Sequence, residues 1–269
     1  MCSEEMENRT EFEERRVLNV AMDAGHILLQ NGAEISRVEE TMERICRHYG
    51  VTTGEFFVLS NGIFTTGGQA SEKSFARVQH IPVKGASLDK IVAVNQLSRE
   101  IESGRHETLD EVERILEDIK NMNGFKPWQQ ILASGVGSGF FCVLAGGGLA
   151  DCFAAFIAGI FLYIYVLKVS VPHLSKIVGN IFGGMLVVLI SLASYHVGIG
   201  ISLSPMISGT IMPLVPGVAF TNGIRDIANG DYISGAVRML DAVLIFLSIA
   251  IGMGVMFMIY HSMTGGVMP

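Results

Sequence analysis

Charge is what the last 143 residues of this 269-residue chain lack. Of 19 Lys and Arg and 26 Asp and Glu, only Asp151, Lys168, Lys176, Arg225, Asp226, Asp231, Arg238 and Asp241 lie after residue 126. A helix needs about 20 apolar residues to cross the ~30 Å hydrocarbon layer of a bilayer, and the charge-free runs 127–150, 177–224 and 242–269 all reach that length. A water-soluble back half is thereby excluded. The chain reads as an integral membrane protein with a water-facing front half.

Tryptophan and cysteine are also scarce, at one and four. Cys2, Cys46, Cys142 and Cys152 are scattered, with no C-x-x-C pair and no histidine at zinc spacing, so they read as reduced fillers and no metal site is expected. No G-x-x-x-x-G-K-[ST], H-E-x-x-H or G-x-S-x-G occurs, nor a G-x-G-x-x-G after a strand, so neither a nucleotide motor, a bound cofactor nor an enzyme is expected. Gly146-Gly147-Gly148 lies between two apolar stretches and reads as a membrane turn. Met1 to Glu7 lack a basic n-region and an apolar h-region, so the front half is expected to stay in the cytoplasm. The net charge of -7 belongs to that half, and an acidic domain does not suit nucleic acid.

What is present in residues 1–125 is an α+β pattern. Val17, Leu18, Ala21, Ala24, Leu28 and Leu29 recur at helical spacing across 11–29, and Asn31-Gly32 breaks the run. A second helix follows over 34–49, ended by Gly50. Stretches 55–60, 63–66 and 75–83 are β-rich and separated by Asn61-Gly62 and Gly67-Gly68, which predicts a small antiparallel sheet. Ser87 is placed to cap a helix to residue 101, and Thr108 through Glu111 forms a capping box opening another to 121.

Residues 126–269 predict an all-α bundle of five transmembrane helices, at about 128–145, 149–167, 177–195, 201–220 and 235–260. With the front half inside, Lys168, Lys176, Arg225 and Arg238 flank cytoplasmic loops, and the C-terminus, near Met268, falls outside. Gly135-x-x-x-Gly139 and Gly179-x-x-x-Gly183 allow close helix approach. The fourth crossing is interrupted by Pro205, Pro213 and Pro216-Gly217, either a simple kink or a broken helix of the kind that builds transporter sites.

Ionisable residues near a bilayer are costly and draw a functional reading. Asp241, three residues after Arg238, either forms an interfacial salt bridge with it or is a protonatable carboxylate beside a guanidinium that could hold a substrate carboxylate. Asp151 is either an external loop residue or an outer proton acceptor, and Asn180 and Asn222 are candidates for polar lining. In the front half, Glu34, Arg37 and Glu39 share a helix, where Glu34 and Arg37 either pair on the surface or line a vestibule or subunit contact.

Two stretches, 31–39 (Asn31-Gly32-Ala33-Glu34-Ile35-Ser36-Arg37-Val38-Glu39) and the region from Pro216-Gly217-Val218 through Asn222, Arg225-Asp226, Gly230-Asp231, Ser234-Gly235 and Arg238, resemble the threonine/serine exporter family in its split two-component form. The resemblance implies a plasma-membrane secondary transporter of small carboxylate-bearing metabolites, threonine and serine first and succinate as the alternative. Arg225, Arg238 or a half-helix N-terminus at the Pro216-Gly217 break could bind such carboxylates, with Asp226 and Asn222 as further candidates, and export without ATP leads to the hypothesis of proton antiport through Asp241 or Asp151. Because the chain resembles one half of the fused members, a smaller integral membrane subunit and an oligomer are implied as partners. A membrane-anchored regulator or enzyme remains the reading from a different class.

Overall fold

The computed structural model describes residues 2–52, 54–67, 75–82, 85–105 and 108–265, and for residues 2–11 and 75 the backbone alone. The expected positions Gly68, Val83 and Met268 lie outside the described residues. The fold is mostly helical with one small sheet, and the chain divides into two compact units: residues 1–124 with 218–239, and residues 125–217 with 240–269.

In the first unit, α1 (Cys2–Gln30) and α2 (Ile35–His48) present their apolar stripes to one core of Leu18, Met22, Leu28, Ile35, Met42 and Ile45. The turn between them needs its glycine, because Gly32 sits at φ +84°, where a Cβ would be strained. Asn31 secures it by donating from Nδ2 to the Ile27 carbonyl at 2.7 Å. Strands β1 (Glu55–Leu59), β2 (Gly62–Gly67) and β3 (Phe75–His80) form an antiparallel sheet in chain order, with Glu55 opposite Thr66 and Gly62 opposite His80. Val58, Ile63 and Ile81 fill the core from the sheet, and Val94, Ile101, Val112 and Leu116 from α3 (Leu88–Glu102) and α4 (Leu109–Asn121).

Two cap expectations fail. Neither Ser87 nor Thr108 makes a side-chain cap bond; in the first turn of α4, Asp110 is drawn instead to Arg16 of α1, which also holds Glu113 at 2.9 Å. Residues 218–239 belong to this unit although the sequence partition assigns them to the membrane half.

The second unit contains α5 (Pro127–Leu144), α6 (Leu149–Tyr165) with its π-helical extension Val166–Ser170, the short α7 (Val171–His173), α8 (Lys176–Val197) and α9 (Leu203–Thr210). The 3-10 turn Met212–Leu214 follows; α10 (Gly217–Ala228) then lies in the first unit from Val218 onward. Helix α11 (Tyr232–Thr264) contributes its residues from Leu240 to the second unit. Among the described residues, Leu149–His173, Lys176–Val197 and Tyr232–Thr264 are long and apolar enough to cross a membrane, and the broken pair Leu203–Leu214 plus Gly217–Ala228 makes a fourth if it counts as one span. Helix α5, with Gln129 and Gln130 in its first turn, is not among them.

Glycine sets the spacing of these helices, as expected where lipid removes the hydrophobic drive for helix association. A Cβ on Gly135 would lie 3.0 Å from the Phe156 carbonyl oxygen, and one on Gly139 3.3 Å from that of Cys152, so the first expected glycine pair does seat α5 on α6. The α8–α11 contact uses a different pair: a Cβ on Gly184 would lie 2.5 Å from the Ile249 carbonyl oxygen, and one on Gly252 would strike that of Ile181. Gly252→Ala is therefore expected to lower stability by about 1–3 kcal/mol through overpacking. Gly254→Ala, where nothing lies within 4 Å, should melt in detergent as the unsubstituted chain does.

Candidate functional site

The first unit contains a clamp that reads five consecutive residues. Asn222 on α10 donates from Nδ2 to the Gly32 carbonyl at 2.7 Å. Arg238, in the second turn of α11, donates from Nη2 to the Ala33 carbonyl at 2.8 Å. Arg225 pairs with the Glu34 carboxylate, Asp226 Oδ1 accepts the Ile35 N–H at 3.1 Å, and Asn229 donates from Nδ2 to Ser36 Oγ at 3.2 Å. The two stretches that carried the resemblance are thus the two halves of one contact.

Helix geometry explains why these partners meet. Glu34 is the N-cap of α2, with an extended backbone (φ -65°, ψ 146°) and no side-chain cap of its own. The first N–H groups of a helix lack partners within it, and the positive end of the helix dipole favours a carboxylate there. Asp226 supplies that carboxylate from 191 residues away. Its side chain is fully buried, and Oδ2 faces Arg238 Nη1 at 2.9 Å, without the alignment of a hydrogen bond. A buried charge needs such a partner, and Arg238, with 10% of its side chain exposed, is nearly as enclosed.

Several expected pairings are replaced. Glu34, standing before the helix rather than on its face, pairs with Arg225 instead of Arg37, and Arg37 is exposed. Arg238 pairs with Asp226 and not with Asp241. Asp241 instead accepts from Lys176 Nζ at 2.5 Å, within the second unit, and both side chains are about half exposed. Asn180 turns back to the Lys176 carbonyl at 2.8 Å. Glu39 accepts the Val58 N–H at 3.3 Å, tying α2 to β1, and burial pushes its carboxyl above the usual range.

Asp151 is not a loop residue. It is 3% exposed, and its Oδ1 accepts the N–H groups of Ile201 and Ser202 at 2.6 and 2.8 Å while Oδ2 accepts that of Gly148 at 3.0 Å. It anchors the turn from which α9 starts. Beyond α9 the segment breaks at Met212–Leu214 and Pro216-Gly217. Beside this break lies a cavity of about 580 Å³, walled by α5, α6 and Met212-Pro213. Its polar groups are Gln129, Gln130, Ser134 and Tyr163.

Lys176, Gln130 and Tyr163 were absent from the sequence candidates. Lys176 offered one signal, being among the eight charges of the back half; a glutamine and a tyrosine near a helix end offered none. Among the described residues no cluster of histidine, cysteine and carboxylate could hold a metal, and Cys46, Cys142 and Cys152 are free thiols.

The sequence pattern of a family described as putative threonine/serine exporter matches residues 19–260. The chain is 26% identical over 252 residues to the probable succinate transporter subunit YjjP of Klebsiella aerogenes, covering 89% of this chain and 92% of that one. It is 26% identical to a threonine/serine exporter of Corynebacterium glutamicum, covering 88% of this chain and 50% of the relative. A pheromone-regulated membrane protein 10 of Debaryomyces hansenii is also 26% identical, over 84% of this chain and 23% of its own length. The chain therefore spans half or less of the last two relatives. No solved structure matches.

Removing one partner of the buried pair, in Asp226→Ala or Arg238→Ala, is expected to cost about 3–5 kcal/mol. The double change Asp226→Leu with Arg238→Met should cost less than the sum of the singles in urea unfolding of the full chain in detergent. Glu39, whose folded carboxyl titrates above its unfolded value, adds stability that is present at low pH and lost as pH rises through the folded value. Glu39→Gln keeps the acceptor for Val58, so it should unfold like the parent at low pH and be the more stable of the two above neutrality.

Proposed function

Because the chain belongs to the threonine/serine exporter family, we propose that it is a subunit of a secondary transporter that exports small carboxylate-bearing metabolites, threonine and serine foremost. One observation carries this reading: the family match, from residue 19 to 260, takes in most of the first unit and, among the described residues, the bilayer-length helices as far as residue 260. The chain acts with a smaller integral membrane subunit, as the word subunit in the name of its near full-length relative suggests. The same relative favours succinate as the second reading.

In this proposal α5 and the interrupted stretch from about 201 to 220 count as crossings, giving five, with residues 1–124 and 222–238 on the cytoplasmic side and the C-terminus outside. The clamp supports a common side for residues 31–39 and 222–238, since each of residues 32–36 meets a partner from the second stretch. The segment around Pro216-Gly217 supplies the mobile element. Asn222, Arg225, Asp226 and Arg238 position the α1–α2 turn, with Glu34 as one of its contacts.

With no phosphate-binding loop in the sequence, export draws on an ion gradient, and we assign coupling to Asp241. It lies half-exposed in the third turn of α11 beside Lys176 at the start of α8, so taking up a proton would release the lysine and change the local charge by one unit. Asp151, engaged by three backbone donors, holds the α9 turn.

Cells or vesicles carrying the full chain with its partner subunit and loaded with labelled threonine or succinate test this directly. Asp241→Asn is expected to slow export roughly tenfold or more. Unchanged rates would remove Asp241 from the mechanism, and failure of the unsubstituted pair to export either compound would sink the exporter reading itself.

A further inference from the structure

The cavity beside the broken segment has a wall whose hydrogen-bonding capacity can be counted. It lies in the size range of small-molecule sites, at about 580 Å³. Gln130, Ser134, Gly137 and Phe141 reach it from one stripe of α5, and Tyr163 faces them from α6. None of the residues that wall it is Lys, Arg, His, Asp or Glu.

Both hydroxyl donors in the wall and one amide hydrogen are already committed. Tyr163 donates its hydroxyl proton to Gln130 Oε1 at 3.1 Å, Gln130 donates from Nε2 to the Phe125 carbonyl at 2.7 Å, and Ser134 donates from Oγ to the Gly159 carbonyl at 3.0 Å. Gln129 Oε1 accepts the Lys126 N–H at 2.9 Å, which leaves its NH2 group to face the cavity beside the second hydrogen of Gln130 Nε2. The Tyr163 and Ser134 oxygens keep lone pairs and remain acceptors. The wall therefore offers only neutral amide N–H donors, from Gln129 and from the second hydrogen of Gln130 Nε2, together with the two hydroxyl acceptors, and no fixed charge.

We propose that this cavity is the binding site for the exported molecule, and that its uncharged, acceptor-rich wall selects a net-neutral zwitterionic amino acid with a short side chain over a dianion. This rests on the exporter reading and deepens it. An ammonium group can donate to the Ser134 and Tyr163 oxygens while the α-carboxylate accepts from Gln129. A dicarboxylate brings two negative charges to a wall that has neutral amide donors and no cation, so its net charge would be desolvated without a counter-charge. Tyr163, Ser134 and Gln129 are the specificity-determining residues.

Gly137 makes the test clean. It borders the cavity, and a Cβ there meets nothing within 4 Å, so a side chain can be started at this edge of the cavity without a backbone clash. Binding of labelled L-threonine and succinate to the purified full chain in detergent, together with export by the chain and its partner subunit, should be compared across variants. Gly137→Leu is expected to weaken threonine binding roughly tenfold or more at an unchanged melting temperature. Gln129→Leu should weaken it by about tenfold, and Gln129→Arg should improve succinate binding by about the same factor.

Threonine binding unaltered in Gly137→Leu would overturn the site. Succinate bound by the unsubstituted chain as tightly as threonine, and lost in Gly137→Leu, would overturn the charge selection while keeping the cavity. An unsubstituted chain that binds and exports neither would overturn the exporter reading, and this inference with it.

Discussion

A single buried carboxylate organises the first unit. Asp226 has no solvent to stabilise its charge, so its two oxygens must find partners inside: the Ile35 N–H at the start of α2 and the guanidinium of Arg238. Each partner then constrains its own element. Ile35 fixes where α2 begins, and Arg238, which also donates to the Ala33 carbonyl, fixes the rotation of the first turns of α11. The surrounding contacts of Asn222, Arg225 and Asn229 complete the arrangement, so residues 218–239 fold with the first 124 and not with the apolar segments between which they lie.

The second unit is held by different physics. With apolar side chains as content in lipid as against each other, close approach of backbones matters more, and Gly135, Gly139, Gly184 and Gly252 provide it. Its few polar groups are used locally. Asp151 completes the turn before α9, Tyr165 donates to the Gly179 carbonyl at 2.9 Å, and Lys176 and Asp241 neutralise one another. The large apolar side chains left exposed, such as Phe140, Leu247 and Met258, suit a bilayer.

A transporter needs a rigid part, a part that can change and a compartment for its cargo. The glycine-seated helices provide the first, and the break between α9 and α10 is a natural candidate for the second. The cavity beside that break would be the third. In the scheme proposed above, the charge lies outside this cavity, in the Lys176–Asp241 pair, apart from the wall proposed to read the substrate.

Composition and periodicity alone determined the division into a charged front and an apolar back, the antiparallel hairpin of β1 and β2, the α1–α2 turn at Gly32 and the interruption near Pro213, because each follows from the solvent and from backbone rules acting over a few residues. The two stretches of the site were also visible as patterns. What only the tertiary structure decided is who meets whom: Glu34 with Arg225, Arg238 with Asp226, Asp241 with Lys176, and Asp151 with the N–H groups of Ile201 and Ser202. Neighbours three residues apart were the natural guess for a salt bridge. The buried charges instead took partners from remote segments, because a cap position points away from its own helix face and because a desolvated carboxylate is stabilised by whichever donors the packed fold brings to it.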